Sequence, residues 1–230
     1  MRKQALAFED IEELNVNREN EIPIISTSYK LAKRTLDISG ALIGLIILFI
    51  VLIPFIVIYS IGKNKGEMLF KQKRIGQYGE VFEIYKFRSM VENAEEVLKR
   101  DKDLYTKYIA NSYKLEAEED PRITTFGRFI RKTSLDELPQ FLNVLKGEMS
   151  LVGPRPIVQE ELNEYGNKKA LFLSAKPGIT GYWQTCGRSE VNYPERVNVE
   201  LYYMNNQSVL LDIQILFKTV VHVLIRKGAY

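Results

Sequence analysis

Residues 38–61 read ISGALIGLIILFIVLIPFIVIYSI, twenty-four positions without a charge. As a straight helix this run reaches about 36 Å, enough for a hydrocarbon core of about 30 Å. A helix buried in a soluble core seldom stays apolar on every side for so long, so the run marks contact with a membrane. Pro54 interrupts it. Proline removes a backbone donor and crowds the preceding turn. The part before Pro54 would reach about 24 Å and the part after it about 10 Å. Lys30, Lys33 and Arg34 precede the run, and Lys63, Lys65, Lys71, Lys73 and Arg74 follow it. A simple span concentrates Lys and Arg on one side. Basic residues on both sides are expected when both ends stay at one face, so the reading is a bent, re-entrant helix. One ordinary span with a proline kink is the alternative.

The remainder of the 230 residues is compatible with one ordinary domain. The chain is 46% hydrophobic and 27% charged, with a formal charge of +3. These values exclude a mainly disordered chain and one mostly buried in lipid. A charge of +3 gives no reason to expect nucleic acid as a partner. Cys186 is the one cysteine and His222 the one histidine. No internal disulfide or Cys-based zinc centre is possible, and acid–base or nucleophilic chemistry falls mainly to carboxylates, Lys, Tyr and hydroxyls.

The expected organisation is a polar extension over 1–28, an anchoring helix over 29–66 and a catalytic domain over 67–230. The fold class is mixed α/β and helix-rich: a monotopic membrane protein with a small strand element and amphipathic interfacial helices. VFEIYKFRSM at 81–90 has strand character. Residues 91–120 read as solvated helix and loop, 157–173 as helix, and 195–204 as helix. Residues 176–188 form a Gly-rich stretch with strand character near Tyr182–Thr185. Val209 to Lys227 is amphipathic: Gln214, Lys218, His222 and Arg226 recur every fourth residue beside a broad apolar face. This suits a helix at a membrane surface or one packed on the core.

The strongest chemical signal is Ser134-Leu135-Asp136-Glu137-Leu138-Pro139-Gln140. Ser134 and Glu137 have capping-box spacing, which would put Asp136 in a first helical turn and favour its ionised form. Asp136 as the cap is the alternative. Such pairs are common at helix starts and most do no catalysis, but here Arg122, Arg128, Arg131 and Lys132 lie upstream, and Gly153-Pro154-Arg155-Pro156 lies downstream. Guanidinium forks match phosphate oxygens, and two prolines restrict Arg155. A carboxylate pair among arginines near a membrane suits phosphoryl transfer. The carboxylate could attack phosphorus, with arginines and an oxygen-ligated metal, hence Mg²⁺, offsetting the charge. Lys86 and Arg88 are further phosphate candidates, on one face if the strand reading holds. Gly178, Gly181 and Gly187 could let backbone approach a nucleotide, and Tyr182 and Trp183 could stack on a base or serve as core anchors.

Together, YKFRSM at 85–90, SLDELPQ at 134–140, NVLKGEMSLVGPRP at 143–156 and KPGITG at 176–181 resemble the bacterial sugar transferases, the monotopic polyprenyl-phosphate glycosyl-1-phosphate transferases. The resemblance runs in order over about residues 30–228. It implies the small form of the family, an anchor plus catalytic domain at the cytoplasmic face of the inner membrane. It also implies transfer of a sugar-1-phosphate from a UDP-sugar to undecaprenyl phosphate, with UMP released. The product is the first lipid-linked intermediate of an exopolysaccharide, capsule or glycoconjugate, passed to downstream glycosyltransferases. By motif position, Asp136 would be the nucleophile, Glu137 its metal-binding or proton-accepting neighbour, and both would meet Mg²⁺. Lys86, Arg131 and Arg155 would bind phosphate, with Arg88 and Arg188 as added candidates. Ile53-Pro54 stands where some members have Ser-Pro, and Cys186 where many have Asn or Ser. The competing class is a non-catalytic anchored scaffold for anionic lipid or a partner enzyme, against which the intact Asp-Glu pair speaks.

Overall fold

The computed structural model describes residues 22–111, 115, 119–186, 191 and 193–225. A long helix, α1 (Thr27–Ser60), opens at Ser26, whose side-chain oxygen accepts from the Tyr29 N–H, and it continues through Pro54. It is the one described helix long and apolar enough to cross a membrane. Its inward stripe is Asp37, Ala41, Gly44, Leu48, Phe55 and Tyr59, at spacings that keep one helical face toward the domain. The outward faces leave Ile43, Ile46, Phe49, Ile50 and Ile53 largely exposed.

The domain touches both ends of this helix. Near its start, three neighbouring side chains clasp different elements. Lys33 Nζ donates to Asp212 Oδ2 at 2.9 Å and to the Val152 carbonyl at 2.9 Å. Arg34 donates to the Val144 and Leu145 carbonyls, at the C-terminal end of α5 (Gln140–Lys146). Val144 O also accepts from the capping Gly147 N–H, and the cation adds charge-assisted donors at the negative end of the helix. Asp37 accepts from Ser150 Oγ and the Leu151 N–H, each at 2.8 Å. Near its other end Phe55 packs 4.6 Å from Phe87 between ring centroids, and the Tyr59 hydroxyl donates to the Arg88 carbonyl.

The first hairpin joins β1 (Leu69–Ile75) to β2 (Val81–Phe87), antiparallel, with Leu69 opposite Phe87 and Ile75 opposite Val81. Phe82, Ile84 and Phe87 bury against the core. Asn143 of α5, fully buried, docks on β2: its Nδ2 donates to the Glu83 carbonyl and its Oδ1 accepts from the Tyr85 N–H. Helices α2 (Ala94–Arg100) and α3 (Lys102–Ala110) follow, consistent with the solvated helical reading of 91–120. Next come α4 (Thr125–Lys132), a 3₁₀ turn (Leu135–Glu137), and α5.

A second sheet pairs β3 (Ser150–Val152) with β4 (Gly178–Thr180) in parallel. The helical expectation for 157–173 is met by a 3₁₀ segment (Glu161–Lys168) and the short α6 (Lys169–Phe172), broken where Gly166 takes a positive φ of 49°. The expected strand near Tyr182–Thr185 is instead α7 (Tyr182–Cys186); the strand lies just upstream at β4. The chain closes with α8 (Glu195–Asn205) and α9 (Val209–Leu224). Ile215 of α9 enters the main core, while Leu210, Ile213, Phe217, Val220 and Leu224 stay exposed. Among the described residues the architecture is thus helix-rich with two two-stranded sheets and one long apolar helix, which fits a monotopic membrane protein.

Candidate active site

The expected capping box does not form. Ser134 adopts a left-handed conformation (φ 56°) and makes no side-chain cap bond, so Asp136 and Glu137 lie in the 3₁₀ turn. The helix proper starts at Gln140, one residue after Pro139. Proline supplies no N–H and suits a first turn, which displaces the helix start downstream of the acidic pair.

Asp136 is buried at 8% exposure. Burial, then the negative charge of Glu137, pushes its carboxyl up to about 6, with Lys86 and Arg131 opposing. The helix dipole expected to favour the anion is not what acts on Asp136: burial disfavours the charge, although a value of about 6 still leaves the carboxylate mostly ionised at neutral pH. Glu137 moves the other way. Burial pushes it up, but the Lys86 ammonium, Arg155 and the neighbouring Gln140 amide outweigh this and hold it below the usual carboxylate value. Two adjoining carboxyls thus differ in acidity, as expected where like charges share a site.

Lys86 reaches the pair because it continues the inward face of Phe82 and Ile84 along β2. Its Nζ lies 2.8 Å from Glu137 Oε1. Arg131, at the end of α4, donates from Nε to Ser89 Oγ at 2.8 Å and acts electrostatically on both acids. Gly127 allows this approach: a Cβ there would stand 1.8 Å from the Ser89 carbonyl oxygen. Arg155 lies near enough to Glu137 to stabilise its charge. Its Nε is buried without a hydrogen-bond partner among the described residues. An unsatisfied guanidinium donor beside a cationic rim suits an anionic ligand.

Other sequence candidates lie elsewhere. Arg88 does not share a face with Lys86, because β2 ends at Phe87. Its guanidinium donates to the Asn64 carbonyl at 2.6 Å, pairs with Glu92 at 3.2 Å and covers the Tyr59 ring. There it lines a cavity of about 260 Å³ with Tyr59, Asn64, Met90 and Thr124. Arg122 is held by a two-point fork to Asp120 at 2.8 and 2.7 Å. Arg128 and Lys132 are exposed. Arg188 and Gly187 lie outside the described residues. Gly178 and Gly181 serve backbone packing on Gly153: a Cβ on either would stand within 2.3 Å of Gly153 backbone atoms. Trp183 is buried at 3% exposure and Tyr182 at 9%, so both are anchors of the core and neither is presented to a base.

Among the described residues no group of three or more His, Cys, Asp or Glu could hold a metal. The Asp136–Glu137 pair nonetheless fits Mg²⁺, which is commonly held by one or two carboxylates with substrate phosphates and water completing its shell. The mutual repulsion that raises Asp136 is what a divalent cation would relieve.

Sequence reasoning on its own passed over Asn143 and Ser89, whose partners are distant in sequence, and Gln140, whose amide acts on Glu137 three residues before it. All three lie within the quoted motifs, which was the available signal.

A profile of the bacterial sugar transferases matches residues 28–226. The galactosyl transferase CpsE of Streptococcus agalactiae is 44% identical over 98% of this chain and 51% of its own length. The undecaprenyl-phosphate galactose phosphotransferase of Salmonella typhimurium is 47% identical over 88% of this chain and 42% of its own. The exopolysaccharide production protein ExoY of Sinorhizobium fredii is 40% identical over 87% of this chain and 88% of its own. The chain spans about half the length of the first two relatives and most of the third. With the profile covering nearly all of it, the chain belongs to the bacterial sugar transferase family.

Proposed function

We propose that this chain is a phosphoglycosyl transferase that moves a sugar-1-phosphate from a UDP-sugar to undecaprenyl phosphate at the cytoplasmic face of the inner membrane. The observation that carries it is the buried Asp136 beside Glu137, with Lys86, Arg131 and Arg155 around them. Ionised Asp136 attacks the phosphorus that bears the sugar. A carboxylate–phosphorus bond forms, the bond to the bridging oxygen breaks, and UMP leaves with that oxygen. An oxygen of undecaprenyl phosphate then attacks the same phosphorus. The Asp136 carboxylate is released and the lipid diphosphate-sugar forms. A pKa near 6 leaves Asp136 mostly ionised at neutral pH and more basic than an ordinary carboxylate. Lys86 holds Glu137 ionised, Arg131 and Arg155 face the transferring phosphate, and Gln140 offers a neutral donor. Mg²⁺, where bound by Asp136 and Glu137, supplies charge neutralisation at the phosphate.

The domain's contacts with both ends of α1 support a helix that enters and returns at one membrane face. Lys33, Arg34 and Asp37 clasp it near one end and Phe87 and Arg88 near the other. A free crossing would carry one end about 30 Å away from a domain on the other side. Pro54 is the natural bend. The exposed apolar row of α9 continues this surface, since Lys33 of α1 and Asp212 of α9 are ion-paired. Both helices then set the acidic turn at headgroup depth, where a soluble donor and a lipid phosphate can reach one carboxylate in turn.

The test is a nucleotide-sugar panel with undecaprenyl phosphate and Mg²⁺, read as UMP release. UDP-galactose heads it because two relatives carry galactose in their names. Turnover with one UDP-sugar is expected. Lipid binding without turnover on any donor would favour the scaffold instead.

A further inference from the structure

Behind Arg155 lies a closed ring of buried charge. Pro154 and Pro156 have no N–H, so the Arg155 N–H is the one backbone donor between Gly153 and Ile157. It donates to Glu200 of α8, at 3.1 Å to Oε2 and 3.4 Å to Oε1. Glu200 Oε1 lies 3.5 Å from Arg196 Nε, one turn earlier on α8. Arg196 Nη1 lies 3.5 Å from Glu161 Oε2, and Glu161 Oε1 lies 3.6 Å from Arg74 Nη1. Arg74 Nη1 donates at 3.2 Å to the carbonyl of Pro156, so the ring ends beside the residue where it began. Arg196 and Glu200 are 1% and 2% exposed. Trp183 packs under the Arg196 guanidinium at 4.4 Å and lies 5.7 Å from that of Arg155.

The four side chains of the ring neutralise one another, two arginines against two glutamates. The charge of Arg155 is left over, and among the described residues its side chain makes no ion pair. The neighbouring backbone is fixed as well: Gly178 N–H donates to the Pro154 carbonyl at 2.8 Å and Gly153 N–H to that of Thr180 at 2.9 Å. Burying four charges is costly, and a hydrophobic cluster of the same volume would stabilise as well or better. A ring of this kind is therefore better explained by geometry than by stability.

We propose that Glu200 is a positioning residue for Arg155, fixing the loop backbone so that the uncommitted guanidinium meets the substrate phosphate. This deepens the function proposed above and rests on it. Glu200→Gln keeps an acceptor oxygen but breaks the pairing with Arg196. Steady-state kinetics on the folded fraction should give a fall in kcat/KM of tenfold or more for the UDP-sugar. In an Arg155→Lys background the same change should cost less than threefold, since a misplaced cation has little left to lose. A purely structural residue would lower thermal stability and multiply fully with Arg155→Lys; that result, or an unchanged kcat/KM, overturns the proposal. Should Glu200→Gln not fold, Glu200→Asp keeps the charge beside Arg196 while drawing back from the Arg155 N–H, and is read on the same scale. A wild-type chain without turnover on the whole panel refutes the function itself, whereas active wild type with an indifferent Glu200 refutes this inference alone.

Discussion

The ammonium of Lys86 sits 2.8 Å from Glu137 Oε1, so the nearest cation in the site is committed to the second carboxylate and leaves Asp136 the more basic of the two. With Asp136 as the proposed nucleophile, the acidic limb of kcat/KM should report its ionisation, near pH 6 without a bound cation and lower when Mg²⁺ fills the site. Lys86→Met removes a charge that lowers Asp136 and should move the limb to higher pH. Glu137→Gln removes a charge that raises it and should move the limb of the residual activity to lower pH. Profiles of UMP release from pH 5 to 9 check both signs.

Asp136→Asn should abolish turnover and stabilise the fold at neutral pH. The folded-state pKa of Asp136 is raised above its ordinary value of 3.8. Stability from this group is fully present below about pH 4 and lost as pH rises through 6. Asparagine stays neutral throughout, so its advantage at pH 8 is on the order of 1 to 3 kcal/mol and disappears near pH 4. Thermal unfolding at the two pH values measures it.

The grouping of the candidate site residues was legible because it is local. The acidic pair, the arginine five residues before it and the strand carrying Lys86 all lie in short patterned stretches. What failed depended on backbone detail or distant partners. The capping spacing was present, but Pro139 and the left-handed Ser134 moved the helix start. β1 was missed because Lys71, Gln72, Lys73 and Arg74 put polar groups on both faces, erasing the alternation. Arg88 turned aside because its strand stops one residue earlier. The buried ring joins Arg74 and Glu161 to the Arg196–Glu200 pair across long stretches of chain, beyond any periodicity.

Gly127→Ala should abolish the proposed activity at a distance from the acids. The added methyl would collide with the Ser89 carbonyl, which is backbone and cannot swing away. Separating α4 from this strand end also breaks the Arg131–Ser89 contact. A loss of about 1–3 kcal/mol in stability, typical of overpacking, is expected with a larger fall in kcat. Denaturant midpoints and UMP release separate the two.

The clasp between α1 and α9 centres on a buried pair, with Asp212 fully enclosed and Lys33 mostly so, and the Tyr29 hydroxyl of α1 donates to the same carboxylate at 3.0 Å. Lys33→Met strands the carboxylate and should cost about 3–5 kcal/mol. Adding Asp212→Asn removes the stranded charge and should recover most of that loss, as read by thermal unfolding in detergent.

The most direct test of the account is to trap the intermediate. The protein is given a UDP-sugar labelled in the phosphate next to the sugar, without undecaprenyl phosphate, then quenched and digested. The account predicts one UMP per active site and label on the peptide holding Asp136, discharged when the lipid is added. Lipid product that accumulates while Asp136 never carries label would contradict it.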